Sequence, residues 1–139
     1  MAMQVTGVQS LFERTTFEAF VLGLPAAALV RQWGDASVGK VGGKIFAIFG
    51  GGISGDAAVI SLKCSDLAFE MLPELAGVRP APYLARAKWV AVAADSALRD
   101  DEVAAYVREA HRLVAARLTR KMRTQLRLDA VIAAAPDRA

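Results

Sequence analysis

The sequence predicts an α+β fold: one two-layer domain with an antiparallel sheet of about five strands and three core helices, followed by a basic C-terminal helical extension. Three observations predict it. Val41-Gly42-Gly43-Lys44 has the two-glycine centre of a tight hairpin, because a type I′ turn needs φ > 0 at both central positions and glycine takes that conformation without strain. Apolar and β-branched runs, Ile45 to Phe49 and Ala57 to Cys64, follow that turn and the next glycine-rich break as strands. Finally, Val103, Tyr106, Val107, Ala110, Leu113, Val114 and Leu118 share one arc at about 100° per residue. Asp100-Asp101-Glu102 precede them, where the macrodipole of a helix start favours acids.

The elements follow in order. Ser10-Leu11-Phe12-Glu13 and Thr15-Thr16-Phe17-Glu18 both match the S/T-x-x-E capping box and predict a first helix nearby. Leu11, Phe12, Phe17, Phe20, Val21 and Leu24 supply its apolar stripe, and Gly23 with Pro25 supply the stop. Trp33-Gly34-Asp35 reads as a turn into a strand over 36–41. Ser65-Asp66 caps a short second helix ending at Leu72-Pro73. Pro80 and Pro82 remove ladder donors, so a strand near them belongs at a sheet edge, and 88–93 reads as the better strand. Beyond Leu118 the apolar register changes at Lys121, so the long helix either leaves the sheet or breaks near Thr119, which caps a new helix; Leu128, Val131, Ile132 and Ala135 form a further stripe.

A chain of 139 residues, 55% hydrophobic and 22% charged, has the size and composition of a single folded domain. The expected division is a leader at 1–10, the α/β domain at 11–121 and a basic, apolar tail at 122–139. The apolar reach at 19–30 contains Gly23 and Pro25 and falls short of the roughly 20 residues a membrane span needs. Residues 1–10 lack the basic and apolar regions of a secretory signal, so a cytoplasmic location is expected, with no membrane partner. Cys64 and His111 are each the sole residue of their type, which excludes an internal disulfide and a Cys/His zinc set. Cys64 reads as a buried small hydrophobe and His111 as a histidine at the border of the core.

Sites of chemistry are incomplete. Gly50, Gly52 and Gly55 spell G-x-G-x-x-G, but the following run continues as a strand in place of the helix that would hold a pyrophosphate. Asp56 and Ala57 stand where a phosphate-binding loop needs lysine and a hydroxyl. Gly52-Ile53-Ser54-Gly55 is one residue short of a nucleophile elbow, and the neighbouring acids at 100–102 do not converge on one helix face. No catalytic residue, metal ligand or cofactor is therefore expected. Charge is the remaining signal: Arg112, Arg117, Arg120, Lys121, Arg123 and Arg127 have no acid among them, whereas Asp95, Asp100, Asp101 and Glu102 face only Arg99. Such a cationic pole is either a solvated helix face or a polyanion-binding surface.

The order of several short motifs resembles the MmcQ/YjbR family: Phe20-Val21-Leu22-Gly23-Leu24-Pro25, Trp33-Gly34, Lys40 to Ala47, Ser61-Leu62-Lys63-Cys64, Pro80-Ala81-Pro82-Tyr83-Leu84 and Lys88-Trp89-Val90-Ala91-Val92. The resemblance covers roughly Leu11 to Lys121. It implies an α-β(3)-α-β(2)-α order with helices on one side of the sheet, and proteins described as DNA-binding. It brings no catalytic residues. Ala110-His111-Arg112-Leu113-Val114 departs from the family's frequent serine in the last helix, and the sequence from Met122 lies outside the match. The family is also likened to the frataxin-type CyaY fold, but Glu13 and Glu18 alone do not make that fold's acidic iron-binding ridge.

The resulting expectation is a non-enzymatic protein that binds double-stranded DNA through phosphate contacts. The residues expected to make them are Lys40, Lys44, Arg86 and Lys88 at hairpin tips and edges, with Arg117, Arg120, Lys121, Arg123 and Arg127. Across a two-residue turn Val41 pairs with Lys44 and Lys40 with Ile45, so Lys40 and Lys44 point to opposite faces. The alternative is a protein- or small-ligand-binding module or homodimer using an exposed apolar sheet face. Strict alternation puts Ile45, Ala47 and Phe49 on one face and Phe46 and Ile48 on the other, and two layers cover only one of them.

Overall fold

The computed structural model describes residues 10–51, 58–82 and 84–134. The leader up to residue 9, the glycine-rich loop at 52–57, Tyr83 and the terminus from 135 lie outside the described residues. The chain runs α1 (Arg14–Leu22), β1 (Ala27–Gln32), β2 (Ala36–Val41), β3 (Lys44–Gly51), β4 (Ala58–Lys63), α2 (Asp66–Met71), β5 (Val78–Pro80), β6 (Trp89–Ala93), α3 (Asp100–Ala116), α4 (Arg120–Gln125) and α5 (Asp129–Ala133). The six strands form one sheet in the order β1-β2-β3-β4-β6-β5, with every neighbour antiparallel. This is the α+β architecture that the sequence predicts, with one strand more. β1 escapes sequence reading because Ala27-Ala28-Leu29-Val30-Arg31-Gln32 is alanine-rich and weak in β-formers. Its pairing with β2, from Ala27 opposite Val41 to Gln32 opposite Ala36, holds it in place.

The β2–β3 turn is as its glycines dictate: Gly42 has φ +58 and Gly43 φ +82, Val41 pairs with Lys44, and Lys40 with Ile45. One step further the register shifts. Gly39 pairs with Ala47, so Phe46 is the extra residue of a β-bulge. The bulge corrects the strict alternation expected for β3. Phe46, Ala47 and Phe49 all join the main core, while Ile45 and Ile48 pack on the far face against Ala81, Trp89 and Ala91. That far face is therefore partly closed by the chain's own 81–89 segment. Gly39 makes room for the bulged ring: a Cβ there would lie 3.1 Å from Phe46 Cζ and 3.1 Å from Val21 Cγ1.

The helices cover the other face. Phe17 and Val21 of α1, and Val103, Val107, Ala110 and Val114 of α3, are buried against Phe46, Ile60, Leu62, Val90 and Val92 of the sheet. α1 starts differently from expectation. Its N-cap is Glu13, with no side-chain cap, because the preceding residues are engaged elsewhere: Leu11 N–H donates to Asp100 Oδ2 at 3.0 Å and Ser10 Oγ–H to Oδ1 at 3.3 Å. Ser65 Oγ accepts from the amide of Ala68 at 3.1 Å and caps α2 as predicted. Thr119 caps α4 in the same way, accepting from Met122 N–H at 3.1 Å, so the long helix breaks where the apolar register changes. The residues beyond that break share the domain's core. Leu128 is a fully buried member of that core, and Met122, Leu126 and Ile132 pack against the same core.

His111 lies deeper than its sequence position implies, at 1% exposure. Its Nε2–H donates to the Pro25 carbonyl at 2.8 Å, and its ring meets Phe46 edge-on with centroids 5.2 Å apart. Burial holds its pKa below the ordinary histidine value, against the opposing pull of the Pro25 carbonyl.

Two outcomes follow. Gly39→Ala will lower stability in urea denaturation by about 1–3 kcal/mol, the usual range for overpacking, and Val21→Ala in the same chain will recover part of it; wild-type stability for Gly39→Ala alone would contradict the packing described. The second concerns pH. The folded state resists protonation of His111 while the unfolded chain takes it up near pH 6.5, so stability falls as pH drops below about 6.5. His111 is the sole histidine, and the Glu18 carboxylate, held below the usual carboxylate range by its hydrogen bonds from Arg31 and Ser37, acts only at more acid pH. Melting temperature should therefore decline between about pH 7 and pH 5 in the wild type and stay flatter in His111→Gln; parallel curves would contradict the assignment.

Candidate functional site

The packing that seats α3 brings cations together at one end of the sheet. Leu118, just past α3, lies directly over the β2–β3 turn: a Cβ on Gly42 would be 2.6 Å from Leu118 Cδ1. Arg117 is thus carried to the hairpin end, where Lys44 opens β3. β4 finishes at the same end with Lys63, which pairs with Trp89 at the start of β6. Lys88 precedes Trp89 in left-handed backbone, φ +67, closing the 3₁₀ turn Ala85–Ala87. Its carbonyl accepts from Cys64 N–H at 2.9 Å, which holds the two strand ends together. Its ammonium stands 5.1 Å from the Phe69 ring centroid, a cation–π contact.

Lys63 is the residue that ties this end together. Its ammonium donates to the Ala87 carbonyl at 2.5 Å. Burial holds its pKa below the usual lysine value, and the positive charges of Arg117 and Lys88 push the same way, with Asp66 opposing. Lys63 therefore stands within electrostatic reach of cations from two other elements. α3 has 17 residues, so about 25 Å separates this end from the acidic start of the helix. Cys64 sits among the cations but stays a thiol at neutral pH, since burial pushes its pKa up to about 11.

Of the residues expected from sequence, Lys44, Lys88 and Arg117 meet at this end, and Lys40 stands one pair inward across from Ile45. Arg86 is exposed on the adjoining 3₁₀ turn, and Arg120 and Lys121 are exposed in the first turn of α4. Arg123 is turned inward: its Nη1 donates to the Ala116 carbonyl at 3.4 Å and caps α3, and its Nε is buried. Arg127 follows α4 with φ +58 and is exposed, without a described contact to the Lys63 group. Lys63 is missing from the residues expected to bind, because it reads in the sequence only as part of a strand and of the Ser61 to Cys64 motif. The signal that finds it is the register, since a strand ending at Lys63 must end beside the Lys88-Trp89 start of its partner.

Among the described residues, no group of three or more His, Cys, Asp or Glu side chains is arranged to hold a metal ion. No helix among them is long and apolar enough to cross a membrane.

An antiparallel sheet with one helix-covered face and a cationic end built from strand termini defines a small two-layer α+β domain whose charged site is an open surface. The YjbR family model matches residues 22–113, more than half of the chain, and the chain belongs to that family. Among solved structures it is similar to a Deinococcus radiodurans protein with a DUF419 domain, at 23% identity and a TM-score of 0.71, covering 87% of this chain and 90% of that one. It is also similar to a Pseudomonas syringae structural-genomics protein, at 21% identity and a TM-score of 0.60, covering 73% of this chain and 97% of that one. These likenesses concern the fold. Among curated proteins, none matches the chain.

Proposed function

We propose that this protein binds polyanions without performing chemistry on them, and that its ligand is double-stranded DNA held by phosphates at the cationic end of the sheet. The observation that carries the reading is the gathering of Lys63, Lys88 and Arg117 at one end of the sheet: Lys63 pairs with Trp89 and donates to the Ala87 carbonyl beside Lys88, Leu118 packs over the neighbouring hairpin, and Lys63 feels the charges of both other cations. A phosphate placed among them would relieve that repulsion and take charge-assisted hydrogen bonds. Lys44, Lys40, Arg86, Arg120 and Lys121 extend the positive surface around the group. The acids at the start of α3 make the field directional, steering a duplex to one end. Contacts of this kind give affinity without base choice.

A second reading, a protein partner or second copy meeting the sheet, draws on the β1 edge. Val30 is 39% and Trp33 62% exposed there, whereas the middle of the far face is occupied by Trp89 and its neighbours.

The test is duplex binding by fluorescence anisotropy across a salt series. With about four phosphates neutralised, log K should fall against log salt with a slope near −3.6, and Arg117→Ala should make it shallower by about 0.9. Because Leu128 is fully buried, point variants are the right tool here, since cutting the chain after Leu118 would open the core. Absence of binding at low salt would end the DNA reading, and an unchanged slope in Arg117→Ala would move the contacts away from this end.

A further inference from the structure

The cleft between α2 and α3 lies outside the cationic end and has the opposite character. It encloses about 600 Å³, and three large apolar side chains on its α2 side stand in water: Leu67 at 67% exposure, Met71 at 57% and Leu75 at 37%. Leu67 and Met71 lie one turn apart on α2, and Leu75 follows directly on the 3₁₀ turn Leu72–Glu74 that continues it. Leu98 and Tyr106, the latter from α3, complete the floor. Such a row is costly to leave in water and is unusual among singly scattered surface hydrophobics.

A second row runs beside it. Asp66, Glu70 and Glu74 repeat the same four-residue spacing one position earlier, all three are exposed, and no Lys, Arg or His occurs between Cys64 and Arg79. None of the three forms an ion pair among the described residues, although Asp66 attracts Lys63. The acids contributed by α3 are already engaged. Glu102 Oε1 accepts from Arg99 N–H at 2.9 Å, and Glu109 pairs with Arg112 at 2.7 Å. Among the residues lining the cleft the charge left without an ion pair is therefore Glu74, with Glu70 exposed four residues earlier beside the same row.

We infer that the α2–α3 cleft is a docking groove for a cationic amphipathic helix of a partner protein, with Leu67, Met71 and Leu75 as the apolar floor and Glu70 and Glu74 as the charged rim. Residues 67–75 extend about 12 Å at helical rise, room for two turns of a partner helix. A groove between helices receives the apolar stripe of an amphipathic helix, whose anchors recur at three- and four-residue spacing. Lysines or arginines flanking that stripe would meet the acidic row, whereas an anionic membrane surface or a nucleic acid would be repelled by it. The adaptable Met71 side chain suits contact with varied apolar anchors.

The probe is a fluorescein-labelled synthetic peptide of repeated Leu-Lys-Lys-Leu, with a Leu-Glu-Glu-Leu peptide of equal length as control, titrated with the full chain. The cationic peptide should bind and the acidic one should not. Leu67→Lys combined with Met71→Lys should weaken binding by about tenfold or more, as loss of central anchors does. Glu70→Gln combined with Glu74→Gln leaves the floor intact and should weaken it by about three- to tenfold, with a flatter salt dependence. Equal affinity in all these variants, equal binding of the acidic peptide or no binding of the cationic one would overturn the inference. So would a wild-type dimer in sedimentation that Leu67→Lys with Met71→Lys converts to monomer while peptide binding is absent, because the occupant would then be a second copy.

Discussion

The bulged Phe46 side chain is the contact through which the layers of this protein are joined. An extra residue in β3 turns the ring to the helix side, and the bare Cα of Gly39 on the neighbouring strand leaves the space it fills. From there it meets the edge of His111 on α3, and the same histidine donates to the Pro25 carbonyl just after α1. One aromatic ring thus links the sheet, α3 and, through His111, the α1–β1 connection. A strand with regular alternation would place that ring on the far face and leave a void under both helices, at the several kcal/mol typical of an emptied aromatic site.

The seat of α3 has consequences at the molecular surface. With the helix held over β2, β3 and β4, its last turn reaches the hairpin, Leu118 covers Gly42, and Arg117 comes within electrostatic reach of Lys63. The cationic end is in this sense a product of core packing. Each cation comes from a place where an element stops: β4 at Lys63, the 3₁₀ turn at Lys88, α3 at Arg117. The acidic residues open α3 and α2, where helix dipoles favour them; those of α3 lie a helix length from the cationic end, whereas Asp66 of α2 stands close enough to attract Lys63. Such a layout gives one small domain a cationic end and an acidic, apolar groove.

Much of the fold was legible because local rules and tertiary structure agree. The two glycines could only turn the chain tightly, Ser65 and Thr119 had amides to cap, and Pro80 restricts β5 to a sheet edge. The failures have physical causes of their own. β1 is an edge strand made largely by its partner's register, so its composition carries little signal. The β3 bulge depends on space at Gly39, a residue on another strand, which no alternation pattern within β3 reveals. The two capping boxes near α1 lost to long-range competitors, since Asp100 takes the Ser10 hydroxyl and the Leu11 amide, and Glu18 of the second box accepts from Arg31 and Ser37. For the site, sequence charge runs favoured the residues after Leu118, yet Arg123 serves as a cap for α3. Lys63 went unseen because its importance comes from strand pairing.

The most direct test of the account is a backbone amide NMR titration of the full chain with a short duplex at low salt. The account predicts shifts concentrated at Lys44, Lys63, Lys88 and Arg117, their sequence neighbours and Phe69 beneath Lys88, spreading into the first turn of α4, with Met71 to Leu75 and the acidic start of α3 unmoved. Shifts centred on the α2–α3 cleft or the β1 edge, or none at the Lys63 end, would contradict it.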